Sequence, residues 1–123
     1  MTNQTAAELA ARECIPCSAV TPPLKGDDLR RLRAQLGGGW RLVGEHHLEK
    51  DLRFPEYLDA AEFTNAVARL AARARHHPDI TLSFDDLKLI IYTHKIDGLH
   101  ENDFILAARI DREIERFRDR IRL

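Results

Sequence analysis

The spacing of apolar residues changes at Pro78, and that change limits which folds the chain can adopt. Before it, Tyr57, Ala60, Phe63, Val67, Leu70, Ala71 and Ala74 recur every three or four residues, the repeat of a helix with one buried face. After it, Ile80, Leu82 and Phe84 alternate with Thr81 and Ser83, the repeat of a strand with one buried face. Proline lacks the amide hydrogen a helix needs and pushes the preceding residue towards extended backbone. The spacing therefore predicts a helix, opened by Pro55 in its first turn and ended by Pro78, with His76 and His77 at the corner.

The same two repeats recur on either side. Asp27 or Asp28 can cap a helix running to about Leu36, with Leu29, Leu32 and Leu36 on one face, and Gly37, Gly38 and Gly39 stop it. Trp40, Leu42, Leu48, Leu52 and Phe54 stand at even separations around Gly44-Glu45-His46-His47, which predicts a hairpin. A second hairpin joins Ile80–Phe84 to Leu87–Tyr92 through Asp85-Asp86. From about Glu101 to the end of the chain Phe104, Ala107, Ile110, Ile114, Phe117 and Ile121 form one helical stripe. The order α-β-β-α-β-β-α predicts an α+β domain over residues 27–123: a four-stranded antiparallel sheet covered on one face by helices. Residues 1–26 contain Pro16, Pro22, Pro23 and Gly26, show little periodicity, and read as an extended or loosely docked N-terminal arm.

At 123 residues, with 44% hydrophobic and 32% charged side chains, the chain can bury a modest core without cross-links or metal. Nineteen Lys and Arg against twenty Asp and Glu leave a net charge of −1, which disfavours nucleic acid and anionic lipid as partners. The arginine-rich end, Arg109 to Arg122, is interleaved with Asp111, Glu113, Glu115 and Asp119, so its charges largely cancel. No stretch is apolar for long enough to span a bilayer and Met1–Ala11 lacks a signal pattern, so a cytoplasmic location is expected. The apolar stripe reaching Ile121, with Ile90 and Tyr92 on the outward sheet face, suggests spare surface for another subunit.

Chemistry concentrates in the histidines. A tight turn at Asp85-Asp86 would pair Phe84 with Leu87 and, further out, bring His77 opposite His94, with His76 alongside. Imidazole titrates near neutrality, so such a cluster can hold one ring as acid and another as base. Dehydration of a carbinolamine needs that pairing: a proton for the departing hydroxyl and a base for the neighbouring N–H. The plain alternative, surface or capping histidines brought together by chance, is open on residue types alone.

At these residues the chain resembles the pterin-4a-carbinolamine dehydratase family. Its signature reads here as His76-His77-Pro78, five residues, Phe84, nine residues, His94, eight residues and Asp103. Thr93-His94, Gly98-Leu99, Asn102–Asp111, Trp40 and Cys14-Ile15-Pro16-Cys17 before Pro23-Leu24 resemble the family too, so the likeness covers about Cys14 to Asp111. The resemblance implies that His76, His77 and His94 are the catalytic and pterin-binding imidazoles, that Arg75, Pro78, Tyr92, Thr93 and Lys95 line the pocket, and that Asp103 supports it. It implies a hydro-lyase of tetrahydropterin recycling that forms quinonoid dihydropterin and water without cofactor or metal, as a homodimer or homotetramer. It also implies an alternative, a non-catalytic scaffold like the family's transcription cofactor or its Rubisco assembly factors. Two positions depart from the pattern: Ala72 stands where the family has a polar side chain, and His100 replaces a Ser or Thr, which predicts a weaker helix cap.

Other motifs are weaker. Cys14 and Cys17 could recruit His46 and His47 to zinc, but no second C-x-x-C is present, and Pro-rich sequence follows where a thioredoxin-like motif would open a helix. Gly37-Gly38-Gly39 precedes a strand, so a structural role is expected rather than a phosphate cradle.

Overall fold

A computed structural model describes residues 6–11 and 22–122. It contains helices α1 (Ala6–Ala11), α2 (Asp27–Ala34), α3 (Tyr57–Ala74) and α4 (Glu101–Arg116), and strands β1 (Arg41–Val43), β2 (His47–Arg53), β3 (Asp79–Ser83) and β4 (Asp86–Ile91). The strands form one antiparallel sheet in the order β1-β2-β4-β3, as expected of the α+β class. Leu48, Leu52, Leu87, Leu89 and Ile91 are buried with Phe63, Val67, Phe104, Ala107 and Ile110 of the helices in a single core. Among the described residues no helix is long and apolar enough to cross a membrane.

Several boundaries differ from expectation, each for a physical reason. The register of β3 with β4 is shifted by two residues: Ser83 pairs with Asp86, so Phe84-Asp85, not Asp85-Asp86, make the turn. Alternation fixes which face each residue takes but cannot see an even shift. The turn is set instead by β2, where the Phe54 N–H donates to the Asp85 carbonyl at 2.8 Å and Arg53 pairs with Asp86. Phe84 therefore leaves the core face, 88% exposed at φ 56°.

Helix α3 ends before Pro78 can act. Arg75 takes a left-handed conformation (φ 55°, ψ 36°) and the His76 N–H returns to the Ala71 carbonyl at 3.1 Å, a C-terminal motif usually built on glycine. Its first apolar position, Tyr57, is exposed. Helix α2 has no side-chain cap; Gly26 precedes it, Asp27 and Asp28 pair instead with Arg30 and Arg31, and it stops at Ala34 rather than Leu36.

Helix α4 stops at Arg116, short of the chain end, and Phe117 and Ile121 fold back into the core, Phe117 meeting Phe63 edge-on at 5.4 Å. The stripe thus leaves little spare surface at that end. Nor is the N-terminal arm wholly extended. Ala6–Ala11 is helical with Leu9 fully buried, and Arg109 Nε donates to the Ala10 carbonyl at 2.9 Å. Pro23 packs so closely on Gly98 that a Cβ there would meet it at 2.8 Å. Cys14 and Cys17 lie outside the described residues.

Candidate active site

The end of α3 turns His76 back towards the first turn of α4, where Asp103 is fully buried. A buried carboxylate must be met by donors, and Asp103 has three. Thr93 Oγ1 donates to Oδ2 at 2.8 Å, the His100 N–H donates to the same oxygen at 2.8 Å, and His76 Nε2 meets Oδ1 in a short contact. With Nε2 committed to the carboxylate, Nδ1 is the nitrogen His76 keeps for proton exchange. Its side chain is 14% exposed, so the ring is held but reachable.

His100 works as a cap after all. Its Nδ1 accepts from the Asn102 N–H at 3.2 Å while its own N–H is bound by Asp103, a reciprocal capping box. Burial pushes the His100 imidazole below its ordinary value near 6.5; Asp103 opposes that shift and the neighbouring His76 adds to it.

Beyond β4, a bridge between Thr93 and Gly98 closes a loop whose single 3₁₀ turn, His94–Ile96, carries the other imidazole. His94 is 60% exposed, with Nε2 3.9 Å from Asp79 Oδ1, and its ring centroid lies 4.1 Å from that of Tyr92. Because β3 begins at Asp79 and pairs with Ile90 there, His77 and His94 are not cross-strand partners, contrary to the expected register. His77 lies exposed at the corner, as do Arg75 and Lys95, and Pro78 is half-buried. The structure thus joins His76, Thr93 and Asp103 directly and sets Tyr92 and His94 on the segment flanking Thr93. Ala72 is exposed on α3.

Sequence reasoning missed two neighbours, His46 and His47, whose rings approach Tyr92. The pairing of β2 with β4, Leu48 opposite Ile91, puts His47 beside Tyr92 one step further along. Either hairpin alone conceals that pairing.

A separate cavity of about 730 Å³ opens between Gly37–Gly39, the end of β2, the C-terminal half of α4 and Arg122. No imidazole or nucleophile lines it. Its ionic groups include the buried Lys50, bound to the Gly38 carbonyl at 2.6 Å and to Asp111 at 3.3 Å, and Arg118, paired with Glu115.

The sequence profile of the family described as Pterin 4 alpha carbinolamine dehydratase matches residues 22–113. A protein of Rubrobacter xylanophilus, provisionally named pterin-4-alpha-carbinolamine dehydratase, is 49% identical over 105 residues, 85% of this chain and 97% of the relative. A protein of Alkaliphilus metalliredigens with the same provisional name is 44% identical over 105 residues, covering 85% and 95%. Among solved structures, a transcriptional coactivator/pterin dehydratase from Brucella melitensis superposes with a TM-score of 0.68 at 21% identity, over 74% of this chain and 97% of that one, a likeness of fold. A pterin dehydratase-like protein described as a RuBisCO assembly factor in the alpha-carboxysome superposes with a TM-score of 0.53 at 25% identity, over 61% and 88%.

Proposed function

The chain belongs to the pterin-4-alpha-carbinolamine dehydratase family, and from that premise we propose that it dehydrates 4a-hydroxytetrahydropterin to quinonoid dihydropterin and water. The observation that carries the mechanism is the His76-Asp103 pair. The reaction breaks the C–O bond at the carbinolamine carbon and forms a C=N bond to the adjacent ring nitrogen. The hydroxyl leaves as water with one added proton, and the ring nitrogen gives one up, so protons balance without redox change.

His76 is the base. Asp103 holds its Nε2 and stabilises the imidazolium that forms when Nδ1 takes the ring nitrogen's proton. His94 is the acid. It is exposed to solvent, from which it recovers its proton, and lies against Tyr92, whose ring offers an apolar wall for a flat heterocycle. His77, Arg75, Pro78, Thr93 and Lys95 complete the pterin-binding surface around the corner. In this reading the enzyme serves tetrahydropterin recycling in the cytoplasm as a homodimer or homotetramer, and it needs no cofactor.

The alternative, a protein-binding scaffold without catalysis, has little need of a buried carboxylate orienting an imidazole. The test is dehydration of synthetic carbinolamine, followed by absorbance. Wild-type protein is expected to accelerate water loss, and His76→Ala and His94→Ala each to lose about 10²-fold or more in kcat. Wild-type turnover no better than that of a variant carrying both His76→Ala and His94→Ala would select the scaffold.

A further inference from the structure

The last residue of the β1-β2 loop and the first of β2 carry two imidazoles that the proposed chemistry does not use. His46 Nδ1 and His47 Nδ1 stand 3.0 Å apart. Each ring's other nitrogen faces a carboxylate: His46 Nε2 lies 2.8 Å from Asp97 Oδ1, and His47 Nε2 lies 3.0 Å from Glu49 Oε1. A count of hydrogens follows. An ionised carboxylate only accepts, so both Nε2 atoms carry hydrogen. The contact between the two Nδ1 atoms is a hydrogen bond only if one of them carries hydrogen as well. A hydrogen bond there would therefore put three hydrogens on two rings, one more than two neutral imidazoles hold. Hydrogen bonds from His47, and then from Arg41, hold Glu49 below the usual carboxylate value.

The pair is in ring contact with the candidate site. The His46 ring meets Tyr92 at 4.6 Å and the His47 ring meets it at 6.3 Å, while Tyr92 meets His94 at 4.1 Å. A cation beside an aromatic ring is attracted to it, more strongly where water is partly excluded, and His47 is only 20% exposed. The two left-handed residues of the loop, Gly44 and Glu45 (φ 56° and 55°), with the His46 N–H donating to Val43 at 2.9 Å, aim the pair at Tyr92.

We infer that His46 and His47 are positioning residues of the dehydratase site: one proton shared between their rings holds them against Tyr92, and Tyr92 holds the ring of His94. The inference rests on His94 taking part in the reaction proposed above. The charged and titratable groups around the chain of rings are Asp97 on the loop after β4, Glu49 on β2 with Arg41 and Lys88 about it, and Asp79 beside His94. When the shared proton leaves, two nitrogen lone pairs face each other, the bridge opens and His94 loses its backing.

The experiment is a pH series of long-range proton-nitrogen spectra on the full chain labelled with ¹⁵N-histidine, beside kcat and KM over the same series. At neutral pH both Nε2 atoms of the pair should be protonated, and both Nδ1 resonances should lie between the bare and protonated extremes. As pH rises, the His94 ring resonances should move at the midpoint at which the bridge proton is lost as well as at their own. In His47→Gln the extra movement should vanish, and so should the alkaline fall in kcat that accompanies it, with kcat reduced several-fold and KM little changed. The proposal is overturned if both Nδ1 atoms are bare at neutral pH, if His94 shows one midpoint that His47→Gln does not alter, or if His46 and His47 prove to hold stoichiometric zinc. A wild type without dehydratase activity would overturn the functional reading instead, and the spectra alone would then decide the coupling.

Discussion

At the scale of single residues, the account turns on Asp103. The resemblance implies a supporting role for it; the structure buries its carboxylate and brings Thr93, the His100 N–H and His76 to it. Asp103→Asn keeps the shape but replaces one accepting oxygen with an amide that faces donors. We expect kcat to fall roughly 10²-fold with KM little changed, and stability to fall by about 1–3 kcal/mol, checked by steady-state kinetics and urea unfolding of the same preparation. The histidines were legible because their residue types are rare and their spacing specific. What spacing could not show is which nitrogen of His76 is tied down, since that depends on a carboxylate twenty-seven positions away. His77 is the converse case, placed opposite His94 by a register the turn does not adopt.

At the scale of elements, two features carry predictions. The cap of α4 uses the bare Nδ1 of His100, so protonation removes the acceptor. Because burial lowers the folded-state value beneath the ordinary 6.5, stability is fully present above that pH and is lost as pH falls through the folded value, where the unfolded chain already binds the proton. His100→Ser, a cap that does not titrate, should flatten this acid-side decline in melting temperature; an unchanged slope would place the proton uptake elsewhere. The β3-β4 turn holds Phe84 exposed and left-handed, a conformation that costs a side chain with a Cβ about 1–2 kcal/mol. Phe84→Asn, a residue that tolerates this region, should raise stability by about 1 kcal/mol in denaturant titration. The long elements were legible because their hydrophobic repeats are long; α1, six residues within the expected arm, was not. Their ends were not: Arg75 closes α3 in a conformation that composition does not announce, and register answers to β2, a partner distant in sequence.

At the scale of the whole molecule, sheet and helices are tied by a polar knot beneath the glycine loop. Asp111 on α4 accepts from the Gly37 N–H and from Trp40 Nε1, each at 2.8 Å, and pairs with buried Lys50 of β2 at 3.3 Å. A Cβ at Gly37 would stand 3.1 Å from the Asp111 carboxylate, so a larger residue there would have to displace that side chain by a few tenths of an ångström. Asp111→Ala leaves Lys50 buried without its charge partner, and should cost about 3 kcal/mol in the unfolding free energy while the rate constants of the remaining folded protein change little. The overall architecture was the most legible level, because alternating helical and strand repeats admit few ways to bury every apolar face. The claim that unites these scales is that the His76-Asp103 pair and His94 remove water from a pterin carbinolamine. Its most direct measurement is single-turnover dehydration of 4a-hydroxytetrahydropterin by the wild type beside His76→Ala: the account predicts acceleration by the wild type and a loss of roughly 10²-fold or more in the variant, and equal rates in the two would contradict it.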